Sequence, residues 1–171
     1  MPYRINITKI YYFCKILHYN GSNRYGRRTK ITDRQMELLR LFGQIDRQMF
    51  VRSFKEEQDC LAFLAEEKWK EGYVCRNCGH TNYCKGKKLY SRRCTRCKRE
   101  ESPTAHTIFH HCRIPLPKAF EIAFLVCTTP GLTVSGLSQE LATRQMTCWK
   151  FRKQVLQCLE ERGTAVHMQD Q

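Results

Sequence analysis

The chain has 171 residues and carries 30 Lys+Arg against 16 Asp+Glu, a formal charge of +14. Its length holds one ordinary domain or two or three small ones, and no apolar run approaches the eighteen residues of a membrane span. The charge favours a polyanionic partner, most often nucleic acid, with a basic surface kept for solubility or for ribosome or membrane proximity as the competing reading; no small-molecule substrate is expected.

Residues 1–31 read as a basic, poorly ordered arm. Arg4, Lys9, Lys15, Arg24, Arg27, Arg28 and Lys30 occur there without any Asp or Glu. Arg4, Lys9 and Lys15 break any signal-peptide core. Scattered cysteines (Cys14, Cys60, Cys84, Cys112, Cys127, Cys148 and Cys158) read as reduced core residues, which points to a bacterial-type, reducing cytoplasm.

Residues 32–71 read as a helical lead-in. Thr32 or Asp33 can cap a helix carrying Leu38, Leu41, Phe42 and Ile45. Ser53-Phe-Lys-Glu56 predicts a capping box, with Cys60, Leu61, Phe63 and Leu64 on the helix behind it. Glu66, Glu67 and Lys68 are expected to face water, and Trp69 to pack the helix against the start of the cysteine-bearing segment.

Residues 72–112 change character. Cys75-Arg-Asn-Cys78 and Cys94-Thr-Arg-Cys97 are two Cys-x-x-Cys pairs, fifteen residues apart. That spacing predicts one structural zinc ion (Zn2+) held tetrahedrally by Cys75, Cys78, Cys94 and Cys97. The intervening residues suit a strand, a turn and a returning strand. Gly79 follows the first pair, where a positive φ suits the knuckle, and Lys98 takes the equivalent place in the second. Tyr73-Val74, Lys88-Leu-Tyr90 and Thr107-Ile-Phe109 read as short extended runs. His80, Cys84 and His110-His111-Cys112 lack a matching partner pair and read as surface or packing residues. Between 85 and 100 lie Lys85, Lys87, Lys88, Arg92, Arg93, Arg96, Lys98 and Arg99 with one Glu. Arg92, Arg93 and Arg96 are expected on a phosphate backbone.

Residues 113–160 predict a helical bundle. Pro117 suits a first turn, and Phe120, Ile122, Ala123, Phe124, Leu125, Val126 and Cys127 are apolar nearly all round, the mark of a buried helix. A short helix from Thr133 to Leu141, a turn at Ala142-Thr143-Arg144, and a helix from about Gln145 to Glu160 obey helix-turn-helix grammar. Cys148, Phe151, Val155 and Cys158 form the inward stripe, flanked by Trp149, Leu156 and Leu159. Arg144, Gln145, Thr147, Lys150 and Lys153 are the expected DNA contacts; an ordinary three-helix bundle would share this pattern. Residues 161–171 read as a tail. The expected fold is thus a small zinc ribbon of short antiparallel strands, flanked by α-helices and succeeded by an all-α helix-turn-helix domain.

Residues of about 54–156 resemble the N-terminal region of insertion-sequence transposases of the group numbered fifteen ninety-five. The matching residues include Phe54, Cys60, Leu64, Trp69, Gly72-Tyr73-Val74-Cys75, Cys78-Gly79-His80, Tyr90, Cys94 and Cys97. They continue through Ser102, Thr104-Ala105, Thr107-Ile108-Phe109, Leu116 and Trp149. His106 stands where that family has Gly, and Arg99 where an aromatic is common. The resemblance implies transposon-end duplex DNA as partner, with a full-length transposase or a second copy as further partners. It also implies a DDE-type catalytic domain after the helix-turn-helix, whereas the sequence stops at Gln171. Asp33, Asp46, Asp59 and Asp170 fall in expected helices, a linker or the tail, so no carboxylate cluster for two-metal chemistry is expected. The expectation is a non-enzymatic DNA-binding half of a transposase; a zinc-ribbon protein adaptor and a non-functional remnant are the alternatives.

Overall fold

The computed structural model describes residues 47–129 and 131–167, with side chains as far as 157. The basic arm, the helix expected behind Thr32 or Asp33, Cys14 and the inward placement of Cys158 lie outside the described residues.

Helix α1 (Arg47–Ser53) buries Phe50, and α2 (Glu57–Lys68) buries Cys60, Leu64 and Ala65. The capping box is displaced from the expected place. Ser53 ends α1, its hydroxyl donating to the Met49 carbonyl at 2.8 Å. A cap residue needs extended backbone, which Glu56 has (φ −111°, ψ 157°), and Asp59 reaches back to accept from the Glu56 N–H at 2.9 Å.

Strands β1 (Tyr83–Lys85), β2 (Arg92–Cys94) and β3 (Glu100–Glu101) form an antiparallel sheet in that order. Tyr83 pairs with Cys94, Lys85 with Arg92, and Arg92 in turn with Glu101. Strand, turn and returning strand therefore do lie between the cysteine pairs. The three expected extended runs are not strands. Lys88-Leu-Tyr90 is the β1–β2 turn, closed by Ser91 N–H on the Lys88 carbonyl, and Thr107-Ile-Phe109 lies in successive turns. Aromatic and β-branched content favours a pleated surface only where a partner strand exists, and the paired knuckles supply partners elsewhere.

Helix α3 (Leu116–Thr128), with Pro117 in its first turn, is the buried centre: Ala119, Phe120, Ile122 and Ala123 are fully buried. Around it pack α1, α2 and α5 (Gln145–His167), and α4 (Val134–Glu140) lies mainly against α5. Thr133 caps α4, accepting from Gly136 N–H at 3.1 Å. Phe50 stacks on Phe124 with centroids 4.2 Å apart, and Phe109 on Phe120 at 4.5 Å. Ile108 and Phe109 thus join the helical core although they come after the cysteine segment. Arg47 ties three helices, pairing with Glu121 of α3 at 2.7 Å and with Glu140 of α4. Cys148, Phe151 and Val155 face inward as expected, but Trp149 is 46% exposed. A second, much smaller cluster holds only Ala65, Trp69, Tyr73, Cys75 and Cys94. So few side chains cannot offset the ordering of some forty residues, at about 1–2 kcal/mol of backbone entropy each. No helix among the described residues is long and apolar enough to cross a membrane.

Candidate metal centre

Each Cys-x-x-Cys pair folds into the same knuckle. Cys75 N–H donates to the His80 carbonyl at 2.9 Å and Gly79 N–H returns to Cys75 at 2.8 Å. In the second, Cys94 N–H donates to Arg99 at 2.9 Å and Lys98 N–H returns to Cys94 at 3.1 Å. Closing this turn needs left-handed backbone at the residue after the second cysteine. Gly79 takes φ 70° at no steric cost; Lys98 takes φ 61°, with its Nζ donating to the Thr95 carbonyl at 2.6 Å.

The knuckles face each other across the ribbon's base. Cys75 Sγ lies 3.5 Å from Cys97 Sγ, Cys78 Sγ lies 3.6 Å from Cys94 Sγ, and all four sulfurs lie within 4.8 Å of one another. A metal bound tetrahedrally at about 2.3 Å from each sulfur sets the sulfurs about 3.8 Å apart. These four cysteines could therefore hold a metal ion, with two buried and two half-buried.

The electrostatics agree. Burial pushes the Cys75 thiol up, but backbone N–H groups of Asn77 and Cys78 and the neighbouring thiols outweigh it and bring its pKa down. The Arg99 N–H leads in lowering Cys97. At Cys78 the His80 N–H favours the thiolate, yet burial and the three neighbouring thiols together hold its pKa above the ordinary value. The cluster is pre-set to ionise in part. Full ionisation of four adjacent sulfurs calls for a cation among them.

The residues around the knuckles are committed to the scaffold. Arg99 donates to Asn77 at 2.9 Å, joining the two knuckles, and Arg93 Nε donates to the Lys98 carbonyl at 3.1 Å. The Arg92 guanidinium lies between two rings, 4.4 Å from Trp69 and 4.1 Å from Tyr83. Arg96 is exposed. His80 meets the Thr95 hydroxyl at 3.1 Å, and Cys84 is exposed on β1; neither joins the sulfur cluster.

Lys68, expected in water, is instead buried, its side chain 4% exposed. Its Nζ donates to the carbonyls of Ser102 and Ala105 at 2.8 and 2.9 Å and lies 2.6 Å from Glu101 Oε1. No sequence signal marks it, because its acceptors lie more than thirty residues away. His106 adopts φ 61°, a conformation that favours glycine, on the segment Lys68 holds.

On the helical side, Arg144, Gln145 and Lys150 are exposed and Thr147 and Lys153 half-buried, all on the first turns of α5 or just before it. Met146 and Trp149 stand among them, 62% and 46% exposed. The link from α4 is tight: Ala142 takes φ 47°, and Ser138 and Thr143 bond each other in both directions at 2.7 and 3.1 Å. No protein-family model matches the chain, and no curated protein or solved structure matches it.

Proposed function

We propose that this chain is a DNA-binding module built from a four-thiolate zinc ribbon and a helix-turn-helix, the N-terminal half of a transposase. Zinc suits four thiolates in tetrahedral array, and a site closed by four protein ligands leaves no position for water, so the ion's role in this reading is structural.

One observation carries the reading: the short α4, the strained tight link and the outward Arg144, Gln145 and Lys150 at the start of α5. A reading helix offers its N-terminal residues to the major groove in this way. The formal charge of +14 supplies the sequence-independent attraction.

Titration of duplex binding against salt tests it. Affinity should fall by about 0.9 decade per decade of salt for each phosphate contact. The exposed Met146 and Trp149 favour a second reading, a zinc-ribbon adaptor docking on a protein. An adaptor would ignore duplex at about 100 mM salt, where only short-range charge contacts survive screening.

A further inference from the structure

Between β1 and β2 the chain turns through residues 86–91. Glu100, on β3, reaches across β2 to this turn: its Oε1 accepts from the Lys88 N–H at 3.1 Å. The Ser91 hydroxyl sits 2.5 Å from that oxygen and 2.7 Å from the Lys88 carbonyl, and gives its one proton to the charged acceptor. Gly86 N–H closes on Ser91 at 2.9 Å. A Cβ at Gly86 would collide with the Ser91 hydroxyl and sit 2.7 Å from the Glu100 carboxyl, so only glycine admits the brace. Tyr90 is held at φ 56°. The braced turn exposes Leu89 and Tyr90, 44% and 42%, directly after the exposed Lys85, Lys87 and Lys88 in the chain.

A braced apolar point preceded in the chain by three exposed lysines suits a partner that is anionic and apolar side by side. Stacked bases between two phosphate strands have that form, whereas an apolar protein pocket would have to desolvate the lysines. We propose that residues 87–90 form a wedge that enters the minor groove of duplex DNA, with Leu89 and Tyr90 unstacking one base-pair step while Lys87 and Lys88 hold adjacent phosphates. This rests on the DNA-binding reading above and adds to it that the ribbon bends its target.

The test uses the metal-loaded full chain and an about 30-bp mixed-sequence duplex, end-labelled for energy transfer, with and without one central mismatch, at low salt of about 50 mM. The comparison variant is Leu89→Ser with Tyr90→Asn, since Asn tolerates the left-handed φ at 90. The natural chain should bend the duplex by some 20–90° and bind the mismatched one about fivefold more tightly, because its step is already unstacked. The variant should keep its metal, bind both duplexes alike and lose most of the bend. Binding without a bend or mismatch preference in the natural chain, or an unchanged bend in the variant, overturns the wedge and leaves the DNA-binding reading standing. Failure to bind any duplex overturns both.

Discussion

Lys68, the last residue of α2, and Glu101, on β3, meet with 2.6 Å between Nζ and Oε1. The ammonium's hydrogen bonds go to the Ser102 and Ala105 carbonyls, while Glu101 supplies countercharge, shared with Arg76 at 3.4 Å. Glu101 Oε1 has no aligned donor, so the pair is held by charge more than by directed hydrogen bonding. Burial pulls the Lys68 pKa down, and Glu101 only partly opposes it. The contact fastens the ribbon to the helix preceding it. Lys68→Met should therefore cost about 3 kcal/mol, since it leaves the Ser102 and Ala105 carbonyls without their donor and Glu101 with only the longer contact to Arg76. Adding Glu101→Leu should recover part of that loss. Chemical denaturation of the single and double variants checks both values; an unchanged midpoint in Lys68→Met would contradict the fastening role.

Arg92 and Arg96 separate two uses of positive charge on one ribbon. Arg92 is stacked between Trp69 and Tyr83, so its guanidinium holds the seam between α2 and β1. Arg92→Lys loses the planar stacking and should lower stability by about 1 kcal/mol. Arg96→Ala, at an exposed site, should leave the melting temperature unchanged and weaken duplex binding with a shallower salt slope. Thermal melts beside binding titrations distinguish the two.

The sulfur cluster makes a sharper demand. Cys94 is fully buried and pairs with Cys78 Sγ at 3.6 Å. Cys94→Ser removes one of four ligands, so the metal should dissociate and residues of about 72–101 should unfold, while Ile108 and Phe109 stay in the helical core. Metal binding contributes on the order of 10 kcal/mol in small zinc modules. Elemental analysis and amide exchange report this, while protection in α3 should persist. Full metal content in the variant would sink the assignment.

The cysteine pairs were legible because a two-residue spacer and a positive φ after each pair are local demands, met at Gly79 and imposed on Lys98. The apolar run of α3 was legible for the same reason, since a helix apolar all round has nowhere to go but the core. Lys68 and Arg92 were not. Their places depend on Glu101, Trp69 and Tyr83, and a charged residue carries no mark of a partner distant in sequence. The strands were misplaced because pairing, not composition, chooses them. Tyr90 has the composition of strand material, yet the brace from Glu100 needs it in a turn.

Thiol chemistry offers a check of the packing. Burial, then the charge of Asp59, pushes the Cys60 thiol up to about 12. Its thiolate fraction at pH 8 is then about one in ten thousand, and no solvent reaches it. Among the cysteines with described side chains, alkylation and subsequent peptide mapping should label the exposed Cys84 first and spare Cys60, Cys127 and Cys148 until the chain unfolds. A chelator should add Cys75, Cys78, Cys94 and Cys97 to the labelled set while Cys60 stays protected. Early labelling of Cys60 would show that α2 does not dock as described.

Lys150 and Lys153 test the face on which the DNA reading depends. Both lie on the early turns of α5, and Lys153 Nζ sits 5.4 Å above the Trp149 ring. An exposed cation–π contact contributes about 0.5 kcal/mol, and alanine is a strong helix former, so the double Lys→Ala variant should melt close to the natural chain. Its duplex affinity is another matter. Two lost phosphate contacts should reduce the salt slope by about 1.8 and weaken binding about tenfold or more near 100 mM salt. A nonspecific basic surface would instead lose little, because the remaining Lys and Arg residues could take the same phosphates. The salt slope of this one variant therefore separates a reading helix from charge spread for solubility, and an unchanged slope would remove α5 from the interface.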